Sequence, residues 1–158
     1  RAIGIQDLRM LGFHDKTIEF EDQAVLDGKI SSLLEELRPD LVVTFYPGYS
    51  VHPDHDATGA AVIRVISKLP AKERPVVHCL AFSKNCVKEL GQPDIIMDIK
   101  PYLREKFAAM QAHRSQIRME EFLKFPQEEL EARFGTERFW TYRFDRTSSN
   151  LREKGAGK

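Results

Sequence analysis

The 158 residues carry 24 Lys plus Arg against 24 Asp plus Glu, so no net charge draws the chain toward nucleic acid or an anionic membrane. Hydrophobic residues make up 42%, enough for a single domain with a real core, and no apolar run approaches the ~20 residues that span a bilayer. Cys79 and Cys86 are too few for a disulfide scaffold or a thiolate metal site, which makes a cytoplasmic protein with reduced thiols the default expectation.

Arg1-Ala2-Ile3-Gly4-Ile5 reads as the end of a helix stopped by a C′ glycine. A domain rarely begins on the last turn of a helix, so residues upstream of Arg1 are expected in the parent protein. Asp7 to Phe13 reads as a short strand or strand-like edge, leading into the polar turn His14-Asp15-Lys16. Ile18 and Phe20 alternate with charged residues, as in a loop or a short edge strand. From Gln23 to Leu37, apolar residues at Val25, Leu26, Ile30, Leu33, Leu34 and Leu37 have the period of an amphipathic helix, which Pro39-Asp40 ends. Leu41 to Tyr46 is a continuous apolar run, the pattern of a buried, parallel-type strand.

After Pro47-Gly48 and the polar stretch Tyr49 to His55, helical period runs from Ala57 to Leu69, with Ala60, Ala61, Val62, Val65, Ile66 and Leu69 on the buried stripe. Pro70 stops it. Strands are expected at 75–82 and 95–99. Pro101 suits the first turn of a helix reaching about Arg118, and a shorter helix covers about Pro126 to Phe134, ending at Gly135. Phe139 to Phe144 alternates aromatic and polar side chains like a strand. From Asp145 onward no apolar periodicity remains, so residues 1–144 are expected to form part of one domain and 145–158 a disordered tail. Strands alternating with helices imply an α/β layer fold around a mainly parallel sheet.

The chemistry concentrates in His52-Pro53-Asp54-His55. A strand, a polar loop and a helix in that order bring two imidazoles and a carboxylate to the carboxyl end of a strand, where open α/β sheets bind ligands. Imidazole nitrogen suits zinc, and a neighbouring carboxylate can fix a histidine's tautomer and orientation. The plain alternative is a capping loop with Asp56 as N-cap, but capping needs only one of these residues. A catalytic zinc takes three protein ligands and keeps one open position. The remaining histidines, His14, His78 and His113, are isolated in sequence, and Ser50 stands where a His-x-His-x-Asp-His site would need histidine. Further ligands are therefore expected upstream of Arg1.

The strand 41–46 feeding His52-Pro53-Asp54-His55, together with the later Ala112-His113-Arg114-Ser115-Gln116, resembles the PIG-L/LmbE-like zinc deacetylases over nearly the whole chain up to Phe144. Within that family, Phe45 to Asp56 is most similar to the second-type deacetylases of bacillithiol biosynthesis. The resemblance implies a Rossmann-like three-layer (LmbE-like) fold, here without its first strand and helix. It also implies removal of the acetyl group from an N-acetylglucosamine-type small molecule, N-acetylglucosaminyl malate above all. A chitooligosaccharide or a mycothiol precursor is an alternative substrate, and a non-catalytic binding or assembly fragment is an alternative role.

Carried over residue by residue, His55 would ligate one Zn2+ or another divalent metal. His52, protonated, would stabilise the oxyanion and protonate the leaving amine, with Asp54 orienting it. The family's His-Pro-Asp-Asp-Glu motif, source of the other two ligands and the general base, is absent from these residues, so this fragment alone is expected to be inactive. Tyr49 lies three residues before His52 rather than the two of the family's oxyanion-assisting tyrosine. Asp15 falls where the family contacts sugar hydroxyls, with an Asx-type turn as the alternative. His113 has a structural or a site-rim role. The family resemblance further implies a homo-oligomer, trimer or hexamer. His78 and the Trp140-Tyr142-Phe144 aromatics read as packing.

Overall fold

The computed structural model describes residues 2–113, 117–118, 122 and 124–146. The chain divides into two compact units, one of Arg1–Leu11 with Ile95–Arg138 and the other of Gly12–Asp94 with Phe139–Lys158.

The larger unit holds the histidine loop. Its first helix, α1, spans Gln23–Leu37, as the apolar period requires. The Asp22 carboxylate caps it by accepting from the Ala24 N–H at 2.7 Å, and Arg38 closes it in the left-handed region at φ 43°. Strand β1 (Leu41–Phe45) follows, then α2 (Pro53–Ser67), β2 (Val76–Leu80) and the short α3 (Cys86–Leu90). β1 and β2 are parallel in the register Leu41 to Val76 through Phe45 to Leu80. The final strand, β4 (Thr136–Thr141), pairs antiparallel with β2 through His78–Thr141 and Cys79–Trp140. In this unit the order is thus β1-β2-β4, a mixed sheet in which an antiparallel strand joins the expected parallel pair.

Helix α2 is sandwiched. One side, with Ala61 and Val65, packs on Leu26 and Ile30 of α1, and Phe13 and Ile18 close the edge of that cluster. The other side, with Ile63 and Ile66, packs on Val77 and Cys79 of β2. Burial of this kind stabilises by about 1.5–3 kcal/mol per large apolar side chain. Burial also pushes the Cys79 thiol up to about 12, so it packs as an inert apolar group. Trp140 is buried as well, its indole N–H donating to the Gly91 carbonyl at 2.9 Å.

The smaller unit contains β3 (Ile95–Asp98), α4 (Leu103–Ala112), α5 (Gln127–Phe134) and the start of β4, beside which β3 lies. Phe134 meets Phe107 and Phe122 edge-on at 5.6 and 5.5 Å, and Lys106 pairs with Glu137 at 2.6 Å.

Several expectations change. Asp7 to Phe13 forms no strand, and Ile18–Phe20 is a turn of 3-10 helix. β1 is parallel but not buried. Leu41 and Val43 are 48% and 54% exposed, because β1 ends the strand order and one face of it is uncovered among the described residues. α2 begins at Pro53 rather than Ala57, since proline is pre-set for the first helical position. α4 ends at Ala112, where His113 leaves helical geometry at φ −92°, ψ 53°, and 114–116 of the expected helix lie outside the described residues. α3 has too few residues to show a period. β4 begins and ends three residues earlier than its aromatic alternation suggests, and Phe144 belongs to a 3-10 turn. Ala2–Ile3 form a turn and Gly4 has φ +75°. Of the expected tail, 147–158 lies outside the described residues. No helix among the described residues is long and apolar enough to cross a membrane.

Candidate active site

The loop after β1 is built by backbone hydrogen bonds that its sequence supplies. Tyr46 N–H donates to the Leu80 carbonyl at 2.7 Å, extending the sheet by one bond. The chain then turns at Pro47-Gly48, and Tyr49 N–H donates back to the Tyr46 carbonyl at 3.0 Å. Ser50 is buried and satisfied, its hydroxyl donating to the Tyr46 carbonyl at 2.9 Å. Gly48 and Ser50 N–H both donate to Asp56 Oδ1, at 2.9 and 3.1 Å. Asp56 is therefore no N-cap. It lies inside the first turn of α2 and holds the preceding loop in place.

Val51, directly before the histidines, sits at φ 69°. A β-branched side chain in the left-handed region is costly and persists only where its surroundings enforce it. Here the enforcement comes from the Asp56 bonds on one side and the helix start on the other. His52 is the N-cap of α2, its Nδ1 accepting from the Asp54 N–H at 3.2 Å. That acceptor role leaves Nδ1 without a proton, and in the neutral ring the proton is then on Nε2.

His55 lies one turn into the helix. Its ring stacks on Phe45 at 4.1 Å with an interplanar angle of 4°, and stands 5.0 Å from the His52 ring. Phe45 is the last residue of β1, so strand packing sets the orientation of His55. Gly59 makes this contact available. A Cβ on Gly59 would stand 2.3 Å from the Phe45 carbonyl oxygen, closer than real contacts allow, so only glycine lets α2 approach the strand end this closely.

Asp54 is 5% exposed. Its carboxylate accepts from Lys16 N–H at 2.6 Å and from Ile18 N–H at 3.1 Å. Hydrogen bonds to a charged group contribute about 1.5–3 kcal/mol each, and the first turn of a helix favours negative charge. The expected bond from the Asp54 carboxylate to the His52 ring is not the one formed. His52 meets the backbone N–H of Asp54, because capping the helix turns Nδ1 toward that group.

His52, Asp54 and His55 line a cavity of about 340 Å³ with Phe13, His14, Asp15, Ile18 and Thr58. Three sequence-predicted residues thus share one wall, and Asp15 joins them from the facing turn. Tyr49 does not line this cavity. Its hydroxyl donates to Glu89 at 2.8 Å, a bond that, with burial, pushes the phenol up to about 12. Position three before His52 puts Tyr49 in the turn, where its carbonyl takes the Phe82 and Ser83 N–H groups. His113 belongs to the smaller unit and lines that unit's cavity of about 700 Å³, along with Tyr102, Met110 and Ile117. His14 escaped sequence reasoning. It stands 38 residues before His52, and no spacing rule links the two; only the reach of Asp54 across the fold does so.

As a metal donor set the site is partial. His55 Nδ1 is buried with no hydrogen-bond partner, the condition of an imidazole nitrogen that a metal could satisfy. Among the described residues, no group of three His, Cys, Asp or Glu is placed to hold a metal ion. The residues present fit the supply of one ligand.

Comparison with known proteins agrees with the motif. Residues 1–66 match the family model described as PIG-L: GlcNAc-PI de-N-acetylase. A Bacillus cereus protein named "Probable N-acetyl-alpha-D-glucosaminyl L-malate deacetylase 2" is 43% identical over 151 residues, which cover 91% of this chain and 68% of that protein. A protein of the same name from Bacillus subtilis is 41% identical over 150 residues, covering 92% and 68%. Another from Bacillus anthracis is 48% identical over 115 residues, covering 73% and 51%. With identity at this level across most of the chain, and with the histidine loop and its helix inside the matched region, the chain belongs to the PIG-L (GlcNAc-PI de-N-acetylase) family.

Proposed function

We propose that this protein is a metal-dependent N-deacetylase acting on N-acetylglucosaminyl malate, a cytoplasmic step of bacillithiol biosynthesis. The observation that carries the reading is the pair His52 and His55. Their rings are 5.0 Å apart on one cavity wall at the start of a helix, with one imidazole held by a backbone donor and the other by ring stacking. The names of the Bacillus relatives support the substrate. His55 would be one ligand to Zn2+ or a related divalent ion. Among the described residues no group of three His, Cys, Asp or Glu is placed to hold the ion, and the resemblance assigns the further ligands and the general base to a His-Pro-Asp-Asp-Glu segment.

When bound, the metal supplies a water of lowered pKa and polarises the acetamide carbonyl. The chain's own contribution is made by His52. With Nδ1 turned to the Asp54 N–H, its Nε2 carries the proton. That N–H can donate to the carbonyl oxygen as the carbon becomes tetrahedral. A proton passes to the nitrogen as the C–N bond breaks from the imidazolium form of His52, which returns to the neutral ring as it does so. Water adds across the amide bond, leaving acetate and the free amino sugar. Asp15 and His14, on the facing wall, offer polar groups for sugar hydroxyls.

The test is mass-spectrometric detection of glucosaminyl malate formed from its acetylated precursor by the intact protein, with and without a chelator. Metal-dependent release of acetate is the expected result. Turnover of a chitooligosaccharide or a mycothiol precursor in preference would reassign the substrate, and no release from any of the three by metal-loaded protein would overturn the reading. The resemblance also extends the proposal to a homo-oligomer, measurable by sedimentation.

A further inference from the structure

We infer that Phe82 is a substrate-contacting residue. Its ring is the platform on which the pyranose ring of the acetylated amino sugar lies while the acetamide faces the histidine pair. The inference rests on the deacetylase reading and names the part of the site that takes the apolar face of the sugar.

Place, support and exposure converge on this ring. Phe82 lies two residues beyond β2, at the carboxyl end of the parallel pair, where β1 delivers the histidine loop. Its ring centroid is 6.4 Å from that of Phe45, which stacks on His55, and His55 is 5.0 Å from His52. A series of touching rings thus leads from the two imidazoles to Phe82. The backbone beneath it is held. Phe82 and Ser83 N–H donate to the Tyr49 carbonyl at 2.7 and 3.0 Å, and Cys86 N–H donates to the Ser83 carbonyl at 3.1 Å. The side chain is nevertheless 55% exposed. Single exposed apolar side chains are common on protein surfaces. What marks Phe82 is an exposed aromatic face on a fixed backbone, joined by ring contacts to the histidine pair.

The chemistry of the ring selects the occupant. The hydroxyls of a glucosamine ring stand around its edge, and its C–H bonds make an apolar face. An aromatic face carries negative charge density that attracts C–H, so the two faces stack with the hydroxyls left free for water or polar partners. Small-molecule sites join such apolar surface to a few convergent polar groups, which the histidine pair supplies here.

The experiment uses Phe82→Ala, Phe82→Leu and Phe82→Tyr in the metal-loaded intact protein, with N-acetylglucosaminyl malate as substrate. In the alanine variant KM should rise about tenfold or more, the loss of one aromatic contact, while kcat stays within about threefold and metal content is unchanged. Tyrosine keeps the ring face and should restore KM. Leucine keeps apolar volume without a ring face and should leave KM raised; a leucine variant with unaltered KM overturns the stacking. An unchanged KM in the alanine variant also overturns the inference, and a fall in its melting temperature would then assign the ring to packing under another segment or a second copy. So does a loss of metal and kcat at constant KM, which would make Phe82 a prop for Phe45 and His55. Each of these outcomes is read against turnover by the unaltered protein and leaves the deacetylase reading standing. No turnover by the unaltered protein is the failure of that reading, and the platform falls with it.

Discussion

At the scale of single residues, the two histidines of the loop are neighbours whose proposed duties are separable. His52 caps a helix through Nδ1 and has Nε2 for proton donation, whereas His55 has a buried Nδ1 without a partner and a ring clamped on Phe45. His52→Ala should lower kcat by about 10²–10⁴, the range of a lost acid–base group, with metal content kept near one equivalent. His55→Ala should lower metal content and kcat together. Metal analysis by mass spectrometry alongside deacetylation kinetics distinguishes them, and equal metal loss in both variants would end the division of roles. The sequence alone makes both residues visible, because two imidazoles around Pro-Asp after an apolar strand have few bland explanations. It does not show how Asp54 is held. Its carboxylate accepts from the Lys16 and Ile18 N–H groups, contributed from far along the chain.

At the scale of elements, the site depends on how α2 meets its neighbours. Gly59→Ala puts a methyl 2.3 Å from a backbone oxygen of β1 that cannot move aside, so the helix must shift. A loss of about 1–3 kcal/mol in urea melts is expected, together with weaker stacking of His55 on Phe45. On the other side of α2, Asp27 of α1 binds Arg64 through both carboxylate oxygens and Lys68 at 3.0 Å. The hydrogen bond from Arg64, followed by that from Lys68, outweighs burial and holds the Asp27 carboxyl below its ordinary value. A lowered folded-state pKa contributes stability that is present above the unfolded-state value and is lost as pH falls through the folded-state value. Asp27→Asn should therefore cost about 1–3 kcal/mol at neutral pH, and the gap to the unaltered protein should close in acid below the usual carboxylate range. Denaturant melts across that window provide the check; a gap independent of pH would assign the loss to packing.

At the scale of the whole molecule, the described residues contain no group of three His, Cys, Asp or Glu placed to hold a metal ion, and His55 is the one proposed ligand. If a His-Pro-Asp-Asp-Glu segment supplies the further ligands, the 158-residue chain should bind Zn2+ weakly and release no acetate, while a protein that carries both segments should bind Zn2+ tightly and release acetate, losing activity to a chelator and regaining it with added zinc. Isothermal titration on the two species compares them directly. Tight zinc binding by the 158-residue chain would mean that its own residues complete the site.

The sequence by itself determined the α/β class, the limits of α1 to the residue, the positions of most strands, and the loop whose histidines are proposed to carry the chemistry. These follow from periodicity, from proline and from residue types whose preferences are local. Tertiary structure alone decided the rest. It put an antiparallel strand beside the parallel pair, left one face of β1 uncovered among the described residues, and gave Tyr49 to Glu89 instead of the cavity. It also brought the His14–Ile18 turn across to Asp54. Each of these is a choice of partner between residues far apart in the chain, and partner choice is settled by packing geometry and hydrogen-bond satisfaction, which leave no periodic trace in a sequence.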